Sequence, residues 1–538
     1  MFSRHDPDKL YAFSNHVHLT TNEGQSWEVI SPDLTTDDKS KQKSSGGPIT
    51  QDNTSVEYYC TIFAVNESPL KEGLLWVGSD DGLIHVTRDG GKNWENVTPK
   101  GMPKWMMINS IEPSYFDEGT CYVAGTMYKS GDYAPYLYKT TDYGKTWKKI
   151  TDGIPAEHFT RVVREDPQQQ GLLYAGTENG MYISFNDGGS WKPFQLNLPL
   201  VPITDLYLRD NNLIVATQGR SIYIIDDLTV LHQLYTMPED TKTFLFKPMD
   251  TYRMSGGGRS GSLTSGANHP GGVMTYFYLD DFDEKKDTVH LTYYDAKGDT
   301  IKTYSTVDGK NSLKAKKGLN EFNWDMTYDG AERLPGMILW WASTDGPMQI
   351  PGNYKVSLDV NGNTITKPYT VVADPRSEET PEGWQAQFDF INEVNATVDK
   401  AHKSIKKIRG VEEKLTEFES RYKDDKRTKD LREKAKNLRE KFADIEKALY
   451  QTQNRSGQDP LNFPIRLTNK LAHLNSLVGM GDFGPTDQDI AVKDELTAQI
   501  NKELDAFNAL VDAEVSEFNR QFNALELDYL SVETDKEK

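Results

Sequence analysis

Short apolar runs come in pairs through the first 230 residues of the chain: 74–79 with 82–86, 121–126 with 136–139, 172–177 with 180–184, and 213–217 with 221–227. Runs of this length, parted by Gly, Asn and Asp, predict antiparallel strand pairs. An earlier pair, 11–14 and 16–19, predicts the same unit at the start. Alternating segments return at 273–279, 289–294, 320–326, 352–358 and 369–374, a spacing that predicts a β-sandwich. Beyond Pro375 the period changes to seven. Ile391, Val398 and Ile405 run beside Val394, Ala401, Ile408 and Leu415, and Leu431, Leu438 and Ile445 run beside Ala435, Phe442 and Leu449. These are the seams of paired antiparallel helices. A third helix is predicted over 465–478. A fourth opens at Thr486 and Asp489 as a capping box and carries Leu496, Ile500, Leu504, Phe507, Phe518, Phe522 and Leu525.

One short pattern follows the strand pairs: a hydroxyl, any residue, Asp or Asn, any, Gly, any, a small polar residue, Trp. It occurs at 20–27, 87–94, 140–147 and 184–191. The positions that repeat are Asn22, Gly24 and Trp27; Asp89, Gly91 and Trp94; Asp142, Gly144 and Trp147; Asn186, Gly188 and Trp191. Asp or Asn accepts backbone N–H groups in a turn, glycine supplies positive φ, and tryptophan fills a gap between sheets. The four stretches resemble the Asp-box of BNR, sortilin-type and sialidase-type β-propellers. That resemblance implies a structural job for their carboxylates. Spacing between the tryptophans falls from 67 to 53 to 44 residues, as in propeller blades with early insertions.

Further phrases narrow the likeness. Residues 47–53, 57–62, 78–82 and 217–227 look like the closing half of large bacterial BNR-repeat proteins, related to the sortilin propeller and often labelled glycosyl hydrolase. Residues 318–325 and 351–354 look like the immunoglobulin-like sandwich that follows in that family. The expected architecture is mainly β plus α. An incomplete propeller of about five blades over 1–231 is followed by linker and sandwich over 232–376, then an antiparallel helical bundle or coiled coil over 377–538. Family members carry a secretory signal and more blades ahead of this point. The chain therefore reads as a C-terminal portion of a periplasmic, surface or secreted protein, completed by an N-terminal propeller half or a partner chain.

Charge and composition exclude several classes. With 81 acidic and 61 basic residues the net charge is −20, which argues against nucleic-acid binding. No apolar run reaches membrane-spanning length. Cys60 and Cys121, both in strand-like apolar settings, read as packing residues rather than a disulfide framework. The ten histidines, His16 and His18 included, show no metal-ligand spacing, and no cofactor or metal is expected. The Gly/Ser-rich stretch 254–272 lacks the Gly-Lys-Ser/Thr of a phosphate cradle and reads as a loop. Met337, Trp340 and Trp341 are either an exposed platform or packing residues, the second being favoured.

Glycoside hydrolysis needs two carboxyl groups, about 5–5.5 Å apart when retaining and about 6.5–9.5 Å when inverting. Outside the four turns the candidates are Glu57, Asp80, Asp81, Glu165, Glu178, Asp226 and Asp227. The Arg-Ile-Pro motif of sialidases is absent. Two readings result: a binding or scaffold protein gripping a protein, peptide or glycan on a propeller face, and, as its alternative, a BNR-type glycoside hydrolase acting on a polysaccharide.

Overall fold

The computed structural model of the protein describes residues 1–44, 46–49, 51, 58–254 and 265–527. Glu57 and most of the Gly/Ser-rich stretch lie outside the described residues. The chain divides into two compact units, Met1–Pro238 and Glu239–Lys538.

The described residues of the first unit form a row of five antiparallel sheets in chain order. Strands Leu10–Phe13, Val17–Thr20 and Glu28–Val29 form the first, and Ile62–Glu67, Leu75–Ser79, Ile84–Thr87 and Glu95–Asn96 the second. Met107–Pro113, Cys121–Met127, Asp132–Thr140 and Lys148–Lys149 form the third. Thr160–Glu165, Leu173–Thr177, Gly180–Ser184 and Lys192–Pro193 form the fourth, and Ile203–Arg209, Asn212–Thr217 and Ile222–Ile225 the fifth. A short helix, α1 (Thr229–Leu234), closes the unit.

Strand periodicity explains the row. Side chains alternate across a strand, and here both faces are apolar. Cys121 and Val123 pack with Trp76 and Ile84 of the second sheet, whereas Tyr122 and Ala124 pack with Leu173 and Ala175 of the fourth. Each central sheet is therefore buried on both sides, and its second strand reads as an unbroken apolar run. Cys60 and Cys121 are free and buried, and burial pushes both thiols up.

The four Trp-ended turns share one set of bonds. The hydroxyl of Thr20, Thr87, Thr140 or Ser184 accepts the N–H of Gly24, Gly91, Gly144 or Gly188 at 2.9–3.0 Å. The side-chain oxygen of Asn22, Asp89, Asp142 or Asn186 accepts the N–H four residues on at 2.8–3.0 Å. The Asn93 side chain and N–H, donating to Asp89, pull its carboxyl down to about 2, and the Thr146 N–H and hydroxyl lower that of Asp142. The indoles of Trp94, Trp147 and Trp191 donate to Ile30, Val97 and Ile150 of the preceding sheet at 2.7–2.9 Å. At Gly144 (φ +83°) a Cβ would stand 2.6 Å from Val97, so the turn needs glycine for conformation and for space.

In the second unit a three-stranded sheet (Thr243–Leu245, Val273–Leu279, Gly318–Trp324) faces a five-stranded one (Thr251–Arg253, Asn363–Ala373, Gly352–Val360, Val289–Tyr294, Thr300–Ser305). Val273, Phe277, Trp324, Leu291, Val356 and Tyr369 fill the space between them. Helices α2 (Pro381–Arg421), α3 (Lys429–Leu449), α4 (Leu467–Val478), α5 (Asp487–Ala509) and α6 (Ser516–Ala524) follow. The heptad residues of α2 and α3 are buried against Leu471, Leu474, Ile500 and Phe507. Thr486 and Asp489 cap α5 reciprocally. A π-turn over Leu510–Val515 separates α5 from α6, where the sequence pattern runs on as one helix. Met337 is buried in this helical core, while Trp341 is 71% exposed and its carbonyl accepts from His473.

Candidate functional site

In an antiparallel sheet the start of the first strand lies beside the end of the second. Register pairs Ile62 with Ser79, Met107 with Thr126, Thr160 with Thr177 and Ile203 with Thr217. The segment before each first strand and the turn after each second strand therefore share one edge of the row. The Trp-ended turns follow the third strands and lie on the opposite edge, so their carboxylates do not reach this one.

Along the first edge runs a ribbon of rings and charges across three sheets. Tyr59 meets Trp105 edge-on at 5.6 Å, and Tyr128 stacks on Phe159 at 5.1 Å. Lys41 lies over Trp105, Lys129 over Tyr59, and Arg161 over both Tyr128 and Phe159, each 5.2–5.9 Å from a ring centre. Cation–π contacts at these distances hold the charges against the rings. Arg161 donates twice to Glu178 Oε2, at 2.6 and 2.8 Å. Cys60 (φ +70°) and Trp105 (φ +66°) adopt left-handed backbone, a conformation that costs about 1–3 kcal/mol in non-glycine residues and that concentrates at binding sites.

Asp80 belongs to this ribbon. It sits in the turn after the second strand, where its side chain accepts the Thr61 N–H at 2.9 Å. Burial holds its carboxyl above the ordinary value, opposed by that bond and by the charge of Lys129. Its neighbour Asp81 is buried and accepts from the Thr36 N–H and hydroxyl at 2.7 Å and from Ser79 at 2.5 Å, so its role here is to tie its own turn to the Thr36 segment. Glu178 lies on the same edge, occupied by Arg161. Asp226 is exposed on the fifth sheet, and Asp227 anchors α1 through Thr229 N (2.8 Å) and Asn211 (3.0 Å). Glu165 is buried, accepting Tyr115 N–H and the Tyr122 hydroxyl, and desolvation raises its carboxyl. The fold thus brings Asp80, Asp81 and Glu178 to one edge and leaves Asp226, Asp227 and Glu165 elsewhere.

Two groups escape sequence reasoning. The ring residues Tyr59, Trp105, Tyr128 and Phe159 are far apart in the chain, yet each occupies the same place in its repeat as Asp80 or Glu178, or the place just before a first strand. Aligning the repeats by that place would have found them. The second group lies where the first strands of successive sheets touch. Glu112 is 2% exposed and its carboxyl is pushed up to about 7 by burial, despite Arg164 at 3.7 Å and Asn66 at 3.3 Å. Arg164 also bonds Asp205 (2.8 Å) and the Leu206 carbonyl (2.8 Å), linking the fourth and fifth sheets. Among the described residues no group of His, Cys, Asp and Glu has the arrangement of a metal site, and no described helix is long and apolar enough to cross a membrane.

No family model matches the chain. Over 113 residues, 20% of the chain, it is 29% identical to the oligoxyloglucan-reducing end-specific xyloglucanase of Emericella nidulans, a stretch that spans 13% of that protein. Among solved structures it is similar to a GH74 xyloglucanase from Xanthomonas campestris (16% identity, 51% of this chain, 41% of that one, TM-score 0.33). It is also similar to YCF48 bound to D1 peptide (19% identity, 31% of this chain, 51% of that one, TM-score 0.25).

Proposed function

We propose that the chain handles a polysaccharide outside the cytoplasm as part of a glycoside hydrolase of the BNR-repeat type, with the ring-and-charge ribbon as its glycan track. The ribbon is the observation that carries the reading. The half-buried rings of Tyr59, Trp105 and Tyr128 offer apolar surface to the C–H faces of sugar rings, with the buried Phe159 supporting Tyr128, and the interleaved Lys129, Arg161, Glu178 and Asp80 offer donors and acceptors to hydroxyls. Xyloglucan, named in the E. nidulans relative, is the first substrate to test.

Asp80 is the proton donor in this proposal, because burial favours its protonated form. Among the described candidates Glu178 and Asp81 are already engaged, so the proposal takes the opposing carboxylate from an N-terminal propeller half or a partner chain. That engagement favours a second reading, a track that binds a glycan, peptide or protein without cleaving it. Under either reading the four Trp-ended turns are Asp-boxes, the facing sheets an immunoglobulin-like sandwich and the helices an antiparallel bundle, with domains over 1–231, 232–376 and 377–538.

The test is retardation of the full chain in gels containing xyloglucan, β-glucan or xylan, alongside assay of released reducing ends. At least one polysaccharide is expected to retard the chain, and Trp105→Ala to weaken that at least tenfold. No retardation by any of them overturns the proposal. Where reducing ends are released, Asp80→Asn should abolish release and spare binding; release that persists removes Asp80 from its role.

A further inference from the structure

The second to fifth sheets of the first unit carry the same irregularity in their first strands. In the second sheet Ile62 and Ala64 pair with the consecutive Ser79 and Gly78, so Phe63 between them has no cross-strand partner. Asn109, Arg161 and Thr204 are left over in the same way in the third, fourth and fifth sheets, Asn109 one pair further along its ladder. Each is a β-bulge in the strand that forms one edge of its sheet. A bulge bends its strand and re-aims a side chain, and bulges gather at sheet edges and beside binding sites.

Three of these residues stand level on neighbouring strands. Asn66, Glu112 and Arg164 follow Phe63, Asn109 and Arg161 by three residues each. They meet in turn, for Asn66 donates to Glu112 at 3.3 Å and Glu112 lies 3.7 Å from Arg164. First strands that touch at that level also set the three bulges side by side in sheet order.

The side chains there suit a sugar chain. Phe63 is 55% exposed between the buried Ile62 and Ala64, so its ring gains little from the core. Asn109 is fixed through its Oδ1, which accepts the Thr126 hydroxyl at 2.8 Å and orients the amide N–H2 group on the other side. Arg161, held by Glu178, lies over Tyr128 and Phe159 and so joins the line of bulges to the ribbon. An aromatic face, a carboxamide and a guanidinium–carboxylate pair on rigid strands offer apolar surface to C–H faces and planar polar groups to hydroxyls.

We infer that the line of bulges is a second arm of the polysaccharide site, with Phe63 as a platform for a sugar ring and Asn109 as a donor to a hydroxyl. The inference rests on the glycan reading of the ribbon and adds subsites that a chain reaches by passing Arg161.

Retardation of the full chain in gels containing xyloglucan, β-glucan or xylan tests it, with wild type, Trp105→Ala, Phe63→Leu, Phe63→Tyr and Asn109→Ala run side by side. Phe63→Leu is expected to weaken binding at least fivefold, Phe63→Tyr to keep it because a ring remains, and Asn109→Ala to weaken it at least threefold. Phe63 is exposed, so neither change there disturbs folding, and an unaltered Tm checks this. Wild-type retardation that Trp105→Ala weakens and Phe63→Leu leaves unchanged overturns this inference while the ribbon stands. Equal losses in Phe63→Leu and Phe63→Tyr overturn the platform role of the ring. Wild type that no polysaccharide retards overturns the glycan reading itself, and this arm with it.

Discussion

Trp191→Ala is expected to cost about 3–5 kcal/mol of stability in the first unit, the range for truncating a buried large aromatic residue. The same change at Trp27, the equivalent position of the first turn, should cost under about 1 kcal/mol, as for a surface substitution. Trp191 is 3% exposed, bonds the Ile150 carbonyl at 2.7 Å and packs with Leu173, Tyr182 and Ile154 of adjoining segments. Trp27 is 43% exposed, because its sheet is the first of the row and no described sheet precedes it. One motif thus has two energetic values, set by whether a neighbouring sheet receives the indole. Hydrogen exchange of the 160–193 amides, compared with the 10–29 amides, reads the difference. Equal losses at both positions would mean that the indole contributes only within its own turn.

Glu112→Gln is expected to stabilise the protein at pH 8 by up to about 3 kcal/mol, the free energy that corresponds to raising the carboxyl from 4.5 to about 7. The sign follows from proton binding. Between those values the folded state holds the Glu112 proton while the unfolded state has lost it, so stability falls as pH rises through the window. Below about pH 4.5 both states are protonated and the penalty vanishes. Urea unfolding of wild type and variant at pH 5 and pH 8 should show a gap that widens with pH. A gap of constant size would assign the effect to lost bonding with Asn66 and Arg164 instead.

Local periodicity carried much of the fold. Strand pairs at 74–86, 121–139 and 172–184 could be read because both faces of each sheet are buried, which makes the second strands uniformly apolar. The seven-residue seams of α2 and α3 were legible because Val394, Val398, Ala401, Ile405, Leu438 and Phe442 face one core. The turn chemistry was legible too, since Asp89, Gly91 and Trp94 act within a few residues of one another. The break between α5 and α6 was not, because Leu510–Val515 keeps good helix-forming residues while its backbone turns wider.

The sites behave differently. Asp80 and Glu178 stand out in sequence as acids in turns, but nothing local distinguishes Asp80, raised by burial, from Asp226, left exposed. That depends on which sheet stands beside each turn. Tyr59, Trp105, Tyr128 and Phe159 become one ribbon only because register places the starts of first strands and the ends of second strands on a common edge. Glu112 sits in a strand whose sequence reads as ordinary, and its proton is held by desolvation that three neighbouring sheets create together. Phe63, Asn109 and Arg161, distant in the chain, stand level only once the first strands of neighbouring sheets pack side by side. Sequence by itself determined the elements and their order, since hydrogen bonding and side-chain alternation act over a few residues. Tertiary structure alone decided which polar groups lose water and which meet, because desolvation and contact belong to surfaces assembled from the whole of each unit.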